Sequence, residues 1–288
     1  MSSTGVLRWS VSSMGRVAMV HLLLRQDGPG RPPPEIPENG VAAAAAAHYA
    51  RLMKGYGQFC PVAKAAEIVA ERWTPLVLRE LLCGSRRFSD LHRGVPLMSP
   101  TLLAQRLEQL EDAGIVRSVP RPHGRGREYE LTAAGEELRP LIDRFGEWGQ
   151  RWARAQIGRD DLDAGLLMWD IHRRIDVDAL PQERVVVRLD FRGAPPTMRG
   201  PRTWWLLLAR SEVDLCLKDP GFPVDVVVTA DLKTLTRVWM GDVPMAAALR
   251  AGSIRLEGPP SLVRAFPTWL QLSSFARVER VATTAAAR

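Results

Sequence analysis

The amino-acid sequence predicts an α+β protein with two domains, the first mostly helical and the second built of strands and helices. Three observations indicate this class. The chain has 288 residues, which is more than a single domain of about 100 to 150 residues requires. Up to about residue 158 apolar residues recur at helical spacings around one β-hairpin. After Arg159 the pattern changes to strand-like alternation interrupted by helices.

The net charge indicates which class of partner the protein binds, and the cysteine pattern indicates its cellular compartment. Lys and Arg number 39 against 32 Asp and Glu, a net charge of +7 that favours anionic partners such as nucleic acid. Part of that charge is background, because an Arg-rich and Ala-rich composition is also typical of GC-rich genomes. Cys60, Cys83 and Cys216 lack metal-ligand or disulfide spacing, so we expect no metal, no cofactor and a reducing cytoplasmic location. No run reaches the roughly 18 apolar residues of a membrane span, so we expect no membrane segment.

The composition also predicts the domain boundaries. We expect a disordered leader over 1–40, because its Pro- and Gly-rich part has too few apolar residues to offset the entropy of ordering it. An Ala run at 42–47 either begins a helix or belongs to a leader upstream of a start near Met53. The remaining predicted segments are a first domain over 41–158, a second over 163–278 and a tail over 279–288.

The best-defined element of the first domain is a helix from Ser99 to about Asp112. Ser99 is a good N-cap and is followed by a proline at the first helical position. Leu103, Leu107 and Leu110 then repeat at i, i+4 and i+7, which predicts one buried face.

Further elements flank this helix. Two helices are predicted between Cys60 and Gly84, broken near 72–75, and a short third helix from Phe88 to Val95 with Ser85 as its cap. After the Ser99 helix, the sequence predicts a hairpin over 115–131. Thr132 then caps one long helix with this apolar stripe: Leu138, Leu141, Ile142, Phe145, Trp148 and Trp152.

A short helix, a tight turn, a second helix and a basic hairpin form the arrangement by which a winged helix-turn-helix places one helix in the major groove of DNA. Gln105 can pair with adenine and Arg106 can reach guanine or a phosphate, and a helix N-terminus favours a phosphate. We therefore predict double-stranded DNA as the partner. The predicted contacts on the helix are Ser99, Pro100, Thr101, Ala104, Gln105 and Arg106.

The hairpin tip supplies a second set of predicted DNA contacts. Its Gly- and Pro-rich turn carries basic residues suited to phosphate contact or to a narrow minor groove. The alternative is a solvated turn without a partner. The predicted contacts on this wing are Arg121, His123, Arg125 and Arg127.

An ordered series of short motifs between residues 57 and 152 resembles the HxlR family of bacterial regulators. The resemblance implies a winged helix-turn-helix homodimer on a two-fold related operator, with the long helix after Thr132 and the segment before Cys60 in the dimer contact. The exposed aromatics of that helix are either this contact or core. The matching motifs are Cys60-Pro61-Val62, Trp73-Thr74, Leu81-Leu82, Arg87-Phe88-Ser89-Asp90-Leu91, Met98-Ser99-Pro100, Arg106-Leu107, Gly114-Ile115-Val116 and Tyr129-Leu131-Thr132-Gly135.

Cys60 has two interpretations. It lies near a helix start, where the helix dipole favours a thiolate, and the resemblance implies a sensor of oxidants or electrophiles, as in several family members. The alternative is a small residue kept for packing.

The second domain is similar to sterol-carrier-protein-like domains over about 165–275. That resemblance implies a mixed sheet with helices around an apolar, lipid-sized cavity, and hence an apolar small-molecule effector. Four aromatic residues either line such a pocket or fill it as core: Trp169, Trp204, Trp239 and Phe266. The motifs that carry the similarity are Phe222-Pro223-Val224-Asp225, Trp239-Met240-Gly241-Asp242 and Leu249-Arg250-Ala251-Gly252-Ser253-Ile254.

The sequence argues against an enzyme, because none of its five histidines stands in a catalytic triad, Cys/His or metal-ligand arrangement. The leading hypothesis is a DNA-binding regulator controlled by an apolar ligand or by Cys60. Two alternatives stay open: a second domain that is only a scaffold, and a lipid or small-molecule carrier without specific DNA binding.

Overall fold

The computed structural model describes most of the chain beyond residue 54, namely residues 55–121, 126–153, 157–158, 160–194 and 200–281. The predicted leader over 1–40 and most of the predicted tail lie outside these ranges. The chain divides into two units, one ending at Glu71 and the other beginning at Arg72. Within the described ranges, no helix combines the length and apolarity needed to cross a membrane.

The described part of the first unit is one short helix and the segment before it. Helix α1 spans Pro61–Val69, with proline at its first position and Cys60 as the N-cap residue. Glu67 in this helix accepts a hydrogen bond from the Tyr56 backbone N–H at 2.9 Å. Lys64 forms an ion pair with the same carboxylate at 3.2 Å.

The second unit begins with three helices and a hairpin, as the sequence predicts. The hairpin is antiparallel, with Val116 opposite Leu131. Its position follows from Gly114, whose φ of 71° ends the preceding helix in the left-handed conformation that glycine adopts readily. These elements are α2 Thr74–Leu82, α3 Phe88–Gly94, α4 Pro100–Asp112, β1 Val116–Pro120 and β2 Arg127–Leu131.

Two local predictions for this region are wrong. Ser85 does not cap α3, whose N-cap is Arg87 without a side-chain hydrogen bond, because the buried Ser85 hydroxyl donates to Glu80 instead. The single long helix after Thr132 is interrupted: α5 spans Ala133–Glu136, α6 spans Arg139–Trp148, and a π-helical turn follows over Gly149–Ala153. Pro140 lacks the backbone N–H that would continue the helix across this point.

The rest of the second unit is a five-stranded mixed sheet with helices, which confirms the predicted α+β class. The strand order is β5-β4-β3-β6-β7. Only the β3–β6 pair is parallel among these described strands, with Val187 opposite Val226. The strands are β3 Val185–Arg192, β4 Thr203–Ala209, β5 Glu212–Cys216, β6 Val226–Asp231 and β7 Ile254–Glu257.

The helices of this region cover one face of the sheet, and their apolar faces form a single core with it. Alternate residues of β4, Trp204, Leu206 and Leu208, are buried in this core, as the period of two in a strand requires. We call this sheet and its helices the C-terminal layer. Its helices are α7 Ala164–His172, the 3-10 turn Val177–Ala179, α8 Leu232–Trp239, α9 Met245–Arg250 and α10 Pro260–Trp269.

Candidate nucleic-acid interface

Helix α4 presents an exposed face, on which Glu108 follows the uncharged residues Thr101, Ala104 and Gln105, opposite a fully buried apolar face. Ser99 caps the helix, accepting a hydrogen bond from the Leu102 backbone N–H at 3.3 Å. Leu103, Leu107 and Leu110 are each at most 1% exposed, so the predicted inward face is confirmed. The remaining predicted contacts at the start of the helix are exposed: Ser99, Pro100, Thr101, Ala104 and Gln105.

Arg106 differs from the other predicted contacts on α4, because it is half-buried and hydrogen-bonded within the protein. Its Nε donates to the Arg72 carbonyl at 3.3 Å, and its guanidinium also donates to the Gln109 side-chain carbonyl. These bonds hold the side chain along the helix. A contact of Arg106 with a base or a phosphate stays a prediction.

The structure describes two of the four predicted wing contacts. Arg127 is exposed and donates from Nη2 to the Ser118 carbonyl at 2.8 Å, across the hairpin. Arg121 is half-buried, with Nε 3.7 Å from the Glu128 carboxylate. His123 and Arg125 lie outside the described residues.

Sequence analysis missed a second basic cluster at the base of the wing. Arg86 and Arg117 both bind the Glu130 carboxylate, at 2.6 and 2.7 Å, and Arg87 lies 3.5 Å from Glu128. Since Glu128 and Glu130 are two apart on β2, both carboxylates point to the same face of the hairpin. The paired arginines before Phe88 and the alternating glutamates were the signal in the sequence.

Comparison with known proteins places this region among regulators. Residues 68–157 match a family described as HxlR-like helix-turn-helix. "Uncharacterized HTH-type transcriptional regulator YvaP" of Bacillus subtilis is 36% identical over 97 residues, 33% of this chain and 90% of that protein. The chain belongs to the HxlR-like helix-turn-helix family.

Other relatives also cover about a third of the chain. "Uncharacterized HTH-type transcriptional regulator sll1512" of Synechocystis is 37% identical over 97 residues, 33% of this chain and 72% of that protein. Among solved structures, the reduced form of the transcriptional regulator YodB from B. subtilis is 27% identical, with 34% of this chain and 97% of that chain covered and a TM-score of 0.30. The two relatives YvaP and sll1512 are both named as HTH-type transcriptional regulators.

In this HxlR-like chain, Cys60 stands at the start of α1 with a thiol that ionises more readily than usual. The backbone N–H groups of Ala63 and Val62 lower the pKa of the Cys60 thiol, because their partial positive charges favour the thiolate. Cys60 is half-buried and forms no disulfide bond with Cys83 or Cys216. Whether it senses oxidants stays a prediction.

The four aromatic residues predicted to line or fill a pocket in the C-terminal layer are all buried, each at most 7% exposed. Trp204, Trp239 and Phe266 lie in the core of the layer, whereas the Trp169 indole N–H donates to Glu80 at 3.2 Å. A separate open groove of about 580 Å³ lies along β7 and α10. Its lining residues are Leu249, Ile254, Arg255, Leu256, Glu257, Val263, Arg264 and Pro267.

No group of three or more His, Cys, Asp or Glu side chains able to hold a metal ion occurs in the described ranges.

Proposed function

We propose that this chain is a transcriptional regulator that binds double-stranded DNA through α4 and the wing. The exposed start of α4, carrying Thr101 and Gln105 above three buried leucines, is the observation that carries the proposal. A helix held in this way by its apolar face can enter the major groove, about 12 Å wide, without loss of its own packing. The positive dipole end at Ser99 favours an adjacent phosphate. The predicted cytoplasmic location is part of this proposal.

A gel-shift titration with the intergenic DNA upstream of its own coding sequence tests DNA binding. We expect a specific complex at physiological salt whose affinity falls as salt rises, because bound arginines release counterions from the phosphates. A carrier without DNA binding would form no complex that survives competition by unrelated duplex DNA. That outcome would leave the alternative carrier function in its place.

Two variants separate base reading from phosphate contact. Gln105→Ala is expected to change the preferred base at one position, at about 1 to 3 kcal/mol of discrimination. Arg125→Ala is expected to weaken binding to all sequences alike and to reduce the salt dependence by about one ion. Equal losses on every sequence for both variants would show that Gln105 does not read bases.

We further propose that the chain acts as a homodimer on a two-fold related operator. An exposed apolar stripe on α6 and the following π-helical turn supports this, because side chains at i, i+4, i+7 and i+11 share one helix face and a patch of this kind marks a protein contact. The stripe consists of Leu141 50%, Phe145 63%, Trp148 58% and Trp152 57% exposed.

We also propose that an apolar ligand bound in the C-terminal layer controls DNA binding. This proposal includes the predicted two-domain organisation with a sterol-carrier-like second domain. The groove along β7 and α10 supports it, since its lining is mainly aliphatic. Incubation with fatty acids, followed by native mass spectrometry and a thermal shift assay, is the test. A protein that retains no lipid and shows no shift would favour the scaffold alternative.

Control by oxidation of Cys60 is a separate proposal, supported by the lowered pKa of its thiol. Cys60→Ser is expected to abolish a response of DNA affinity to hydrogen peroxide, which oxidises a single thiolate to a sulfenic acid and is itself reduced to hydroxide, whereas Cys83→Ser, on an exposed residue at the end of α2, is expected to keep it. An unchanged response in the Cys60 variant would contradict this.

A further inference from the structure

Glu80 is a completely buried carboxylate in α2 that connects the winged helix to the C-terminal layer. Its side chain is 0% exposed. From the winged helix, Arg79 donates to it at 2.7 Å and the Ser85 hydroxyl at 3.4 Å. Arg173, the C-cap residue of α7, donates twice, at 2.7 and 3.2 Å, and the Trp169 indole N–H of α7 donates at 3.2 Å. We call these five residues the Glu80 joint.

The charges of the Glu80 joint depend on each other. Burial alone would raise the pKa of Glu80, but the hydrogen bond from Arg173 and the charges of Arg79 and Arg173 outweigh it and hold the pKa below its ordinary value. Arg173 is itself only 14% exposed and also binds Asp170 one turn earlier. Removal of one partner from a buried pair leaves an uncompensated charge, which is far more costly than loss of a surface pair.

The joint also touches the backbone at the turn of the helix-turn-helix. Gly94 is the last residue of α3, and a Cβ added there would lie 1.9 Å from the Glu80 carboxyl carbon. Arg79 donates to the Gly94 carbonyl at 2.8 Å, and the Arg93 guanidinium lies 5.3 Å from the Trp169 ring centre. The turn that leads from α3 into α4 is therefore packed directly on a carboxylate to which both Trp169 of α7 and Arg173 donate hydrogen bonds.

We propose that Arg173 and Trp169 are positioning residues for DNA recognition: through Glu80, the C-terminal layer holds the turn between α3 and α4 and thereby orients the recognition helix. The proposal rests on the DNA-binding function proposed above. The C-terminal layer would in this way influence the orientation of α4 without itself contacting DNA. The alternative is that the joint only adds stability, which would leave the geometry of the folded winged helix unchanged when the joint is altered.

Hydrogen exchange on the full chain tests the joint without DNA. Arg173→Met is expected to speed exchange of the amides from Gly94 to Leu103 by at least about tenfold, beyond any change in global stability. Arg174→Met is the matched control, because the neighbouring Arg174 donates to the Leu272 and Gln271 carbonyls of the C-terminal layer. Its effect should stay within that layer. Exchange changes restricted to α7 in both variants would overturn the proposal.

A milder variant covers the case in which Arg173→Met does not fold. Trp169→Phe keeps an aromatic ring but loses the N–H that donates to Glu80, and the same amides should exchange faster in it. Trp204→Phe is its control, since that indole donates to the Pro201 carbonyl instead. If both tryptophan variants leave amides 94–103 unchanged, the joint does not hold the turn.

DNA titration then connects the joint to function. At a temperature where every variant is folded, Arg173→Met or Trp169→Phe should weaken binding to the same upstream duplex about tenfold, in the range typical of coupled sites. The salt slope should stay the same, because no phosphate contact is removed, and Arg174→Met should bind like the wild type. Wild-type affinity in all folded variants would overturn the inference, whereas the absence of a specific complex with wild-type protein would refute the proposed function and leave the exchange experiment to decide the joint.

Discussion

At the scale of single residues, the effect of a substitution depends on whether the side chain is buried with hydrogen-bonding partners or exposed without them. Glu80 is a fully buried carboxylate, and it stays ionised because two guanidinium groups and an indole N–H donate hydrogen bonds to it. Gln105 is the opposite case, since it is exposed on α4 with no structural task that its amide must perform. The first type of residue responds to substitution with a loss of stability, and the second with a change in binding.

Glu80→Gln should therefore destabilise the protein by about 3 kcal/mol at neutral pH, because Arg173 and Arg79 lose their buried counterion. Since the folded-state pKa of Glu80 is lowered, its contribution is present above the unfolded-state pKa of about 4.3 and is lost as the pH falls through the folded-state value. Denaturant unfolding at a series of pH values should show the two proteins converging only at acid pH.

Glu136→Gln is the control for this series. Glu136 is 53% exposed and pairs with Arg139 one turn later, so its loss should change stability by no more than about 0.5 kcal/mol at any pH. Burial raises the pKa of Asp170, and the charge of Glu80 raises it further, so the difference between the wild type and the Glu80 variant also contains a contribution from Asp170. A pH-independent gap between them would show that the carboxylate charge is not what matters.

At the scale of elements, the stability of α4 depends on how its first turn is capped. Ser99 accepts from the Leu102 N–H, and Pro100 follows at the position where a missing N–H costs nothing. The wing on the other side is fastened by its own ion pairs, with Arg117 and Arg86 on Glu130. The start of α4 therefore depends on a residue next to it in sequence, whereas the wing is held both across the hairpin by Arg117 and by Arg86, 44 residues before Glu130.

Ser99→Ala should cost about 1 kcal/mol, because the N-terminal N–H groups of α4 lose their side-chain acceptor, and Ser99→Gly should cost only a few tenths of a kcal/mol. Chemical denaturation of the two variants in parallel measures this. The alanine variant should also bind DNA more weakly than the glycine variant if the capped N-terminus lies at a phosphate. A larger loss with glycine than with alanine would be inconsistent with capping at this position.

At the scale of the whole molecule, α6 has one face packed against the C-terminal segment and one face exposed. On its inner side Gly146 meets Phe275 of the C-terminal segment so closely that a Cβ there would lie 2.2 Å from the ring. On the outer side Phe145 and Trp148 are more than half exposed. The inner face is occupied within the chain, and the exposed outer face is the one that we propose contacts a second copy.

Replacement of both Phe145 and Trp148 by Glu should convert a dimer to a monomer, because two charges cannot be buried in an apolar contact without partners. Sedimentation equilibrium at micromolar concentration measures the change. Asp143→Lys places a new charge on the opposite face of the same helix and should leave the dimer intact. A monomeric wild-type protein at this concentration would contradict the homodimer proposal.

The sequence by itself determined the elements, because their signals are local. The N-cap and the leucine spacing predicted α4 closely, and the alternation of apolar residues predicted β4 over Thr203–Ala209. The resemblance to the family came from motifs between residues 57 and 152. The break in the helix after Thr132 has a local cause in Pro140, whereas only the tertiary structure decided the strand order β5-β4-β3-β6-β7 and the burial of the predicted pocket aromatics. The Glu80 joint is of this second kind, since Glu80 and Arg173 are 93 residues apart. Periodicity reports which face of an element is buried, but not against which distant partner, because that choice is made by packing of the whole chain.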